Sequence, residues 1–345
     1  MARSVSFYDK GAICPVETGD CVLYYILEKS GGAPARKRFG RLSAAAPRAH
    51  NDAQEGSNMV KITADSTCDL APEILERLNV TLAPLYTLAD DETYHDGVDV
   101  TPADVFNFVA SGRRVRTAAV NQFDYERLFE RYAKDYDAIV HVAIGASFSA
   151  CCNNARLAAE GFDNVYVVDS ENLSSGSGHL VMDAAEMARD GKTAEEITRA
   201  LRETIPRVDA SFVIESLDYL RRGGRCSGLE AVGARLLQIK PCIEVVRGEM
   251  KVGKKYRGSL ERCLEKYVRD RLTGREDIDP DRVFITHPAC SPEAVQAVRS
   301  LVQSIVPFHE IIETRAGCTV ACHCGPATLG ILYKRTGAKT AIEVH

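Results

Sequence analysis

The chain has no tryptophan and only five methionines among its 345 residues. Any apolar pocket must therefore be lined by aliphatic side chains, phenylalanine, tyrosine and those few methionines. No apolar run approaches the ~20 residues that a membrane-spanning helix needs, and no stretch has the layout of a secretory leader. A cytoplasmic protein without an integral membrane segment is expected. Positive charge is not in excess: 43 Lys and Arg stand against 48 Asp and Glu, a formal net charge of −5. That balance argues against nucleic acid as a partner.

Signatures of several catalytic and cofactor-binding classes are also missing. "SSGSGH" (174–179) follows a strand but is neither G-x-G-x-x-G nor a phosphate-binding P-loop. No G-x-S-x-G elbow occurs, and no Ser, His and Asp order suggests a triad. The acidic stretch "DDETYHDGVDV" (90–100) lacks the D-x-D-x-D-G spacing of a calcium loop, so Asp91, Asp96 and Asp99 read as a solvated turn. Twelve cysteines are present but scattered, which points to reduced thiols rather than a disulfide framework. Cys318, Cys322 and Cys324 bracket His323, yet C-x₃-C-x-C is not a zinc spacing. Neither a metal nor a cofactor is expected.

What is present is the length for two domains and a strand–helix alternation from Met59 onward. Residues 1–58 differ from the rest. They carry eight Lys and Arg against six Asp and Glu, leaving 35 against 42 for residues 59–345, and have little apolar periodicity. They are expected to be disordered or an over-extended reading frame. "VKITAD" (60–65), "VTLAPLYTL" (80–88), "AIVHVAI" (138–144) and "VYVVDS" (165–170) read as strands, and Thr101-Pro102 as a helix start. This alternation predicts an α/β domain over 59–207 with a parallel sheet. Strands that follow one another directly after residue 208, with helices such as "SLERCLEKYVRDRLTG", predict a second α/β domain over 208–345, two-layered with a mixed sheet.

Ligands of open α/β sheets lie beyond the carboxyl ends of the strands. That draws attention to Asp65-Ser66-Thr67, Thr117, "GASFSACCNNA" (145–155) and "DSENLSSGSGH" (169–179). Ser147 and Ser149 fit either a helix N-cap or an anion ligand. "SLDYLRRGGRCSG" (216–228) fits either a helix C-cap with cations in its last turn or an anchor for an anionic ligand. His287 reads as a structural histidine.

Six motifs in order resemble the DegV family of fatty-acid-binding proteins: "ITADSTCDL", "YHDGVDV", "SLDYLRRGGRCSG", "LLQIKPCIEV", "KKYRG" and "CHCGPATLG". The family's T-S-Q-P-S stretch appears as "TAAVN" (117–121) and its S-S-x-L-S-G-T stretch as "GASFSAC" (145–151). The resemblance implies a two-domain α/β protein with a long-chain fatty acid buried between the domains. It is not itself an enzyme, and in some members it presents the carboxylate to a fatty acid kinase for acyl-phosphate formation. By matching position, Thr117, Ser149, Arg225 and His323 would hold the carboxylate, and Arg257 would face the kinase partner. On this reading the Gly-Gly turn brings Arg225 toward the carboxylate. The alternative from another class is a small-molecule enzyme using a thiol at Cys322 or Cys324 beside His323.

Overall fold

The computed structural model describes residues 58–225, 239–339 and 341. The expectations placed on residues 1–57, on Cys226–Gly228 and on Leu236–Gln238 lie outside the described residues.

The first layer opens with β1 (Val60–Asp65), α1 (Pro72–Arg77) and β2 (Thr81–Ala83), followed by β3 (Tyr86–Ala89) and β4 (Glu92–His95). Next come α2 (Pro102–Ala110), β5 (Val115–Ala118), α3 (Gln122–Glu130), β6 (Ala138–Ala143), α4 (Cys151–Ala159) and β7 (Val165–Asp169). Helices α5 (Ser175–Arg189) and α6 (Ala194–Thr204) complete it. Strands β2-β1-β6-β7 form a sheet that is parallel throughout. All six residues of β6 are buried, as a parallel strand covered on both faces requires. The run 80–88 is not one strand. Pro84 has no N–H to give to a ladder, so the chain breaks there. β2 joins the parallel sheet, while β3 pairs antiparallel with β4 and β5 in a separate three-stranded sheet.

The second layer contains β8 (Val208–Ile214), α7 (Asp218–Arg222), β9 (Ile239–Val246), β10 (Glu249–Arg257), α8 (Leu260–Leu272) and β11 (Ile278–His287). It continues through α9 (Pro292–Ile305), β12 (Glu310–Arg315), α10 (Cys318–Cys324) and β13 (Thr328–Arg335). Its six-stranded sheet runs β10-β9-β8-β13-β11-β12 and is mixed, with only β11–β12 parallel. The alternation of β-structure sorts its two faces. Val283, Ile285, Ile331 and Tyr333 point to a core with Leu264, Tyr267 and Val268 of α8 and Val295, Val298 and Val302 of α9. Phe284 and Leu332, the residues between, pack instead with Leu180 and Met182 of α5. One face of the mixed sheet is thus covered by a helix from the first layer, and the two sheets share a core. The helix starts follow local chemistry: Thr101 and Thr193 form capping boxes with Asp104 and Glu196, and Ser291 caps α9 ahead of Pro292.

A buried ion cluster anchors the end of the chain. Asp209 and Glu244, both almost fully buried, share Arg271 (2.5 and 3.1 Å) and Lys339 (2.7 and 2.8 Å). Burial opposes ionisation of Asp209, but Arg271 and Lys339 outweigh it and hold the carboxyl well below the usual range. Asp209→Asn leaves those cations without their counter-charge, and a loss of about 3–5 kcal/mol is expected in urea unfolding at neutral pH.

Candidate functional site

The carboxyl ends of β1, β6 and β7 face the inner surface of the mixed sheet across a cavity. One wall comes from strand ends and the loops beyond them: Thr67 after β1, Ile144 and Phe148 after β6, Leu173 and Ser174 after β7. The opposite wall uses alternate residues of the mixed sheet: Ala210 and Phe212 of β8, Val245 of β9, and Thr328, Gly330 and Leu332 of β13. Period-two spacing explains why every second residue contributes.

All four residues carried over from the resemblance line this one cavity: Thr117, Ser149, Arg225 and His323. They come from β5, the loop before α4, the turn after α7, and α10. Thr117 sits opposite Thr87 in the three-stranded sheet, and its Oγ1 lies 2.8 Å from His323 Nε2, across 206 residues of sequence. Ser149 Oγ accepts from the Cys151 backbone N–H at 3.3 Å and donates to Cys151 Sγ at 3.2 Å. It therefore serves the start of α4 and the cavity wall together. Ser147, its alternative, turns away and donates to the Gly248 carbonyl. Arg257 is exposed at the end of β10, and His287 holds Glu313 and the Cys290 N–H, as a structural histidine should.

The Gly-Gly turn does two things at once. The Arg225 N–H bonds the Leu220 carbonyl and the Gly224 N–H bonds that of Arg221, the paired bonds of a Schellman cap, with Gly224 at φ +67°. The cap leaves Arg225 pointing across the cavity, where Nε donates to the Phe148 carbonyl at 3.3 Å and Nη1 to that of Gly223 at 2.8 Å. Two of its five N–H donors are engaged in this way. Arg221 and Arg222 are exposed; Arg221 pairs with Asp218 and Arg222 lies over the Tyr219 ring. Only one of the three arginines lines the cavity.

Gly223 has a role that spacing alone does not reveal. A Cβ there would lie 1.9 Å from His323 Nδ1, so the imidazole rests directly on this backbone. Nδ1 is buried and makes no hydrogen bond among the described residues. Burial, helped by the nearby Arg225 guanidinium, lowers the His323 pKa to about 4, so the ring is neutral at pH 7.

The thiols near His323 do not resemble activated nucleophiles. Burial pushes Cys322 up to about 12 and Cys324 higher still, whereas a reactive thiolate needs a lowered pKa. All nine described cysteines are free, and no metal-holding cluster of His, Cys, Asp or Glu occurs among the described residues. No helix among them is long and apolar enough to cross a membrane. The acidic-turn reading needs correction at Asp96. It is buried and accepts backbone N–H bonds from Cys318 and Thr319 at the start of α10.

Gly223→Ala must displace the imidazole. The His323 ring resonances in a histidine-selective NMR spectrum are expected to shift strongly in that variant. In Gly224→Ala they should barely move, while stability falls by about 1 kcal/mol from the positive φ.

Residues 59–336 match the family described as "Uncharacterised protein, DegV family". A fatty acid-binding protein of Thermotoga maritima is 30% identical over 283 residues, covering 79% of this chain and 96% of that protein. Among solved structures, a fatty-acid-binding DegV family protein from Thermus thermophilus is 28% identical with a TM-score of 0.73, covering 80% of this chain and 99% of the other. A stearic acid-binding protein from Eubacterium ventriosum is 25% identical with a TM-score of 0.70, covering 81% and 99%. With the matched pattern spanning most of its length and the same two-layered fold, the chain belongs to the DegV family.

Proposed function

We propose that this protein binds a long-chain fatty acid between its lobes, 59–207 and 208–345, with the carboxylate held by Thr117, Ser149, Arg225 and His323. The observation that carries this reading is a largely apolar cavity in whose wall Thr117 and His323 meet, with Arg225 lining the same space. An acyl tail against Phe148, Phe212, Leu220, Val245, Met250 and Leu332 gains ~0.8 kcal/mol per buried methylene. A carboxylate taken from water costs several kcal/mol unless charge-assisted hydrogen bonds replace its hydration. Hydroxyls, an imidazole and a guanidinium are the groups that supply them.

The chemistry then belongs to a partner. In this reading the acid is presented to a fatty acid kinase in the cytoplasm, the phosphoryl group is transferred to the carboxylate there, and this chain contributes no base or nucleophile. The exposed Arg257 is the docking residue of the proposal. Its loss should leave acid binding intact while slowing acyl-phosphate formation by an added kinase.

Native mass spectrometry of freshly purified protein should show a co-purifying long-chain acid. Arg225→Ala and His323→Ala should each weaken binding of a fluorescent acid by about tenfold or more. Wild-type affinity in both variants would overturn the assignment. Charge linkage gives a second check. His323 titrates near 4 without ligand, and an adjacent carboxylate favours imidazolium, so its pKa should rise on loading, and affinity should increase as pH falls from 7 toward 5. An unchanged imidazole titration would place the carboxylate elsewhere.

A further inference from the structure

Helix α10 holds His323 but has only seven residues, too few to define its own position in the absence of tertiary contacts. Its beginning is gripped by two carboxylates from the first lobe. Asp69 Oδ1 accepts the Gly317 N–H at 2.9 Å, and its Oδ2 accepts the Ser174 hydroxyl at 2.5 Å. Asp96 Oδ1 accepts the Cys318 N–H at 2.7 Å, while Oδ2 accepts the Thr319 N–H at 3.1 Å and the Ser66 hydroxyl at 3.3 Å. Three successive backbone donors at the helix start, which no intrahelical carbonyl can satisfy, are thus taken up by two side chains. A Cβ on Gly317 would lie 3.1 Å from Asp96 Oδ1 and 3.2 Å from Asp69 Oδ1, so both carboxylates crowd onto one peptide.

Asp69 also restrains the cavity wall. Ser174, whose hydroxyl it accepts, lies at φ +54° and ψ −149°, a region that favours glycine and costs about 1–3 kcal/mol elsewhere. Both carboxylates are buried, and neither forms an ion pair among the described residues. Among the described residues their partners are hydrogen-bond donors.

We propose that Asp69 and Asp96 are positioning residues. Together they form a carboxylate latch that fixes α10, and hence the His323 imidazole, against Thr117. Burial pushes the Asp69 carboxyl up to about 8 against the Ser174 and Gly317 hydrogen bonds, which favour the carboxylate, and Asp96 adds a smaller upward push. The other groups facing the pair are the Ser66 and Ser174 hydroxyls and the Cys68, Cys318, Cys322 and Cys324 thiols, all raised to about 12 or beyond and neutral at working pH. Because burial raises the native pKa of Asp69, its contribution is fully present below the ordinary carboxyl range and is lost as pH rises from there through about 8.

This inference rests on His323 as a carboxylate partner, so its test reads the helix and the ligand separately. In the full chain, Asp96→Asn should lose about tenfold or more in affinity for palmitic acid and shift the His323 ring resonances, because its amide meets a backbone N–H with another N–H. Asp69→Asn keeps an acceptor for the Gly317 N–H, and the Ser174 hydroxyl can turn to accept from the new amide, so this variant should lose at least threefold less. Wild-type affinity should fall as pH rises from 7 to 9, and Asp69→Asn should flatten that profile. Equal losses in the two variants, or the same profile in both proteins, would overturn the latch. Should Asp96→Asn not fold, hydrogen exchange in the unmodified protein decides. The Gly317, Cys318 and Thr319 amides should be protected like the core of the sheets, and exchange at the rate of an open helix start would overturn the proposal. Failure of the wild type to bind palmitic acid would instead sink the fatty-acid reading and leave the exchange result standing.

Discussion

The hydrogen bond between Thr117 and His323 is the contact on which the polar end of the cavity depends. Neither partner can reach the other through local structure. Thr117 is set by the antiparallel pairing of β5 with β3, and His323 by a short helix between the last two strands. The imidazole has the Gly223 backbone beneath it and the Arg225 guanidinium beside it. A neutral ring, a hydroxyl and a cation make a modest donor set. It can hold an anion that arrives with its own charge, but it contains no group poised to attack one.

The rest of the fold creates the space beside that contact. The mixed sheet turns one face to α8 and α9 and the other toward α5, and the cavity opens where α5 no longer covers the second face. Strand ends of the parallel sheet close the far side. In the proposed reading the work is divided: apolar area would retain a tail without strong selectivity, while the few polar groups would decide which end of the ligand faces outward.

Much of this arrangement was legible in the sequence. The strand runs of β1, β6 and β7, the Thr101-Pro102 start and the helix at α8 each have a local cause, and the structure reproduces them. The succession of strands after residue 208 was visible, but which face of β8 met a cavity was not, because that depends on what covers each side. The 80–88 run misled because one proline sends its halves to different sheets. Helix α10 escaped because three cysteines and a histidine in seven residues carry little periodic signal; its position comes from Asp69 and Asp96, more than 200 residues earlier. Their motifs could be recognised, but spacing alone made Asp96 look like a solvated turn. Gly223 and Gly224 were legible as a pair, whereas their separate duties emerge only from φ and from what a Cβ would strike.

The most direct measurement is a crystal structure of the protein loaded with a long-chain acid bearing bromine on its terminal carbon, located by anomalous scattering. The account predicts bromine deep among Phe212, Val245 and Met250, with the carboxylate at about 2.7–3.2 Å from Thr117 Oγ1 and His323 Nε2. Bromine at the Thr117–His323 end, or an acid bound outside the cavity, would contradict it.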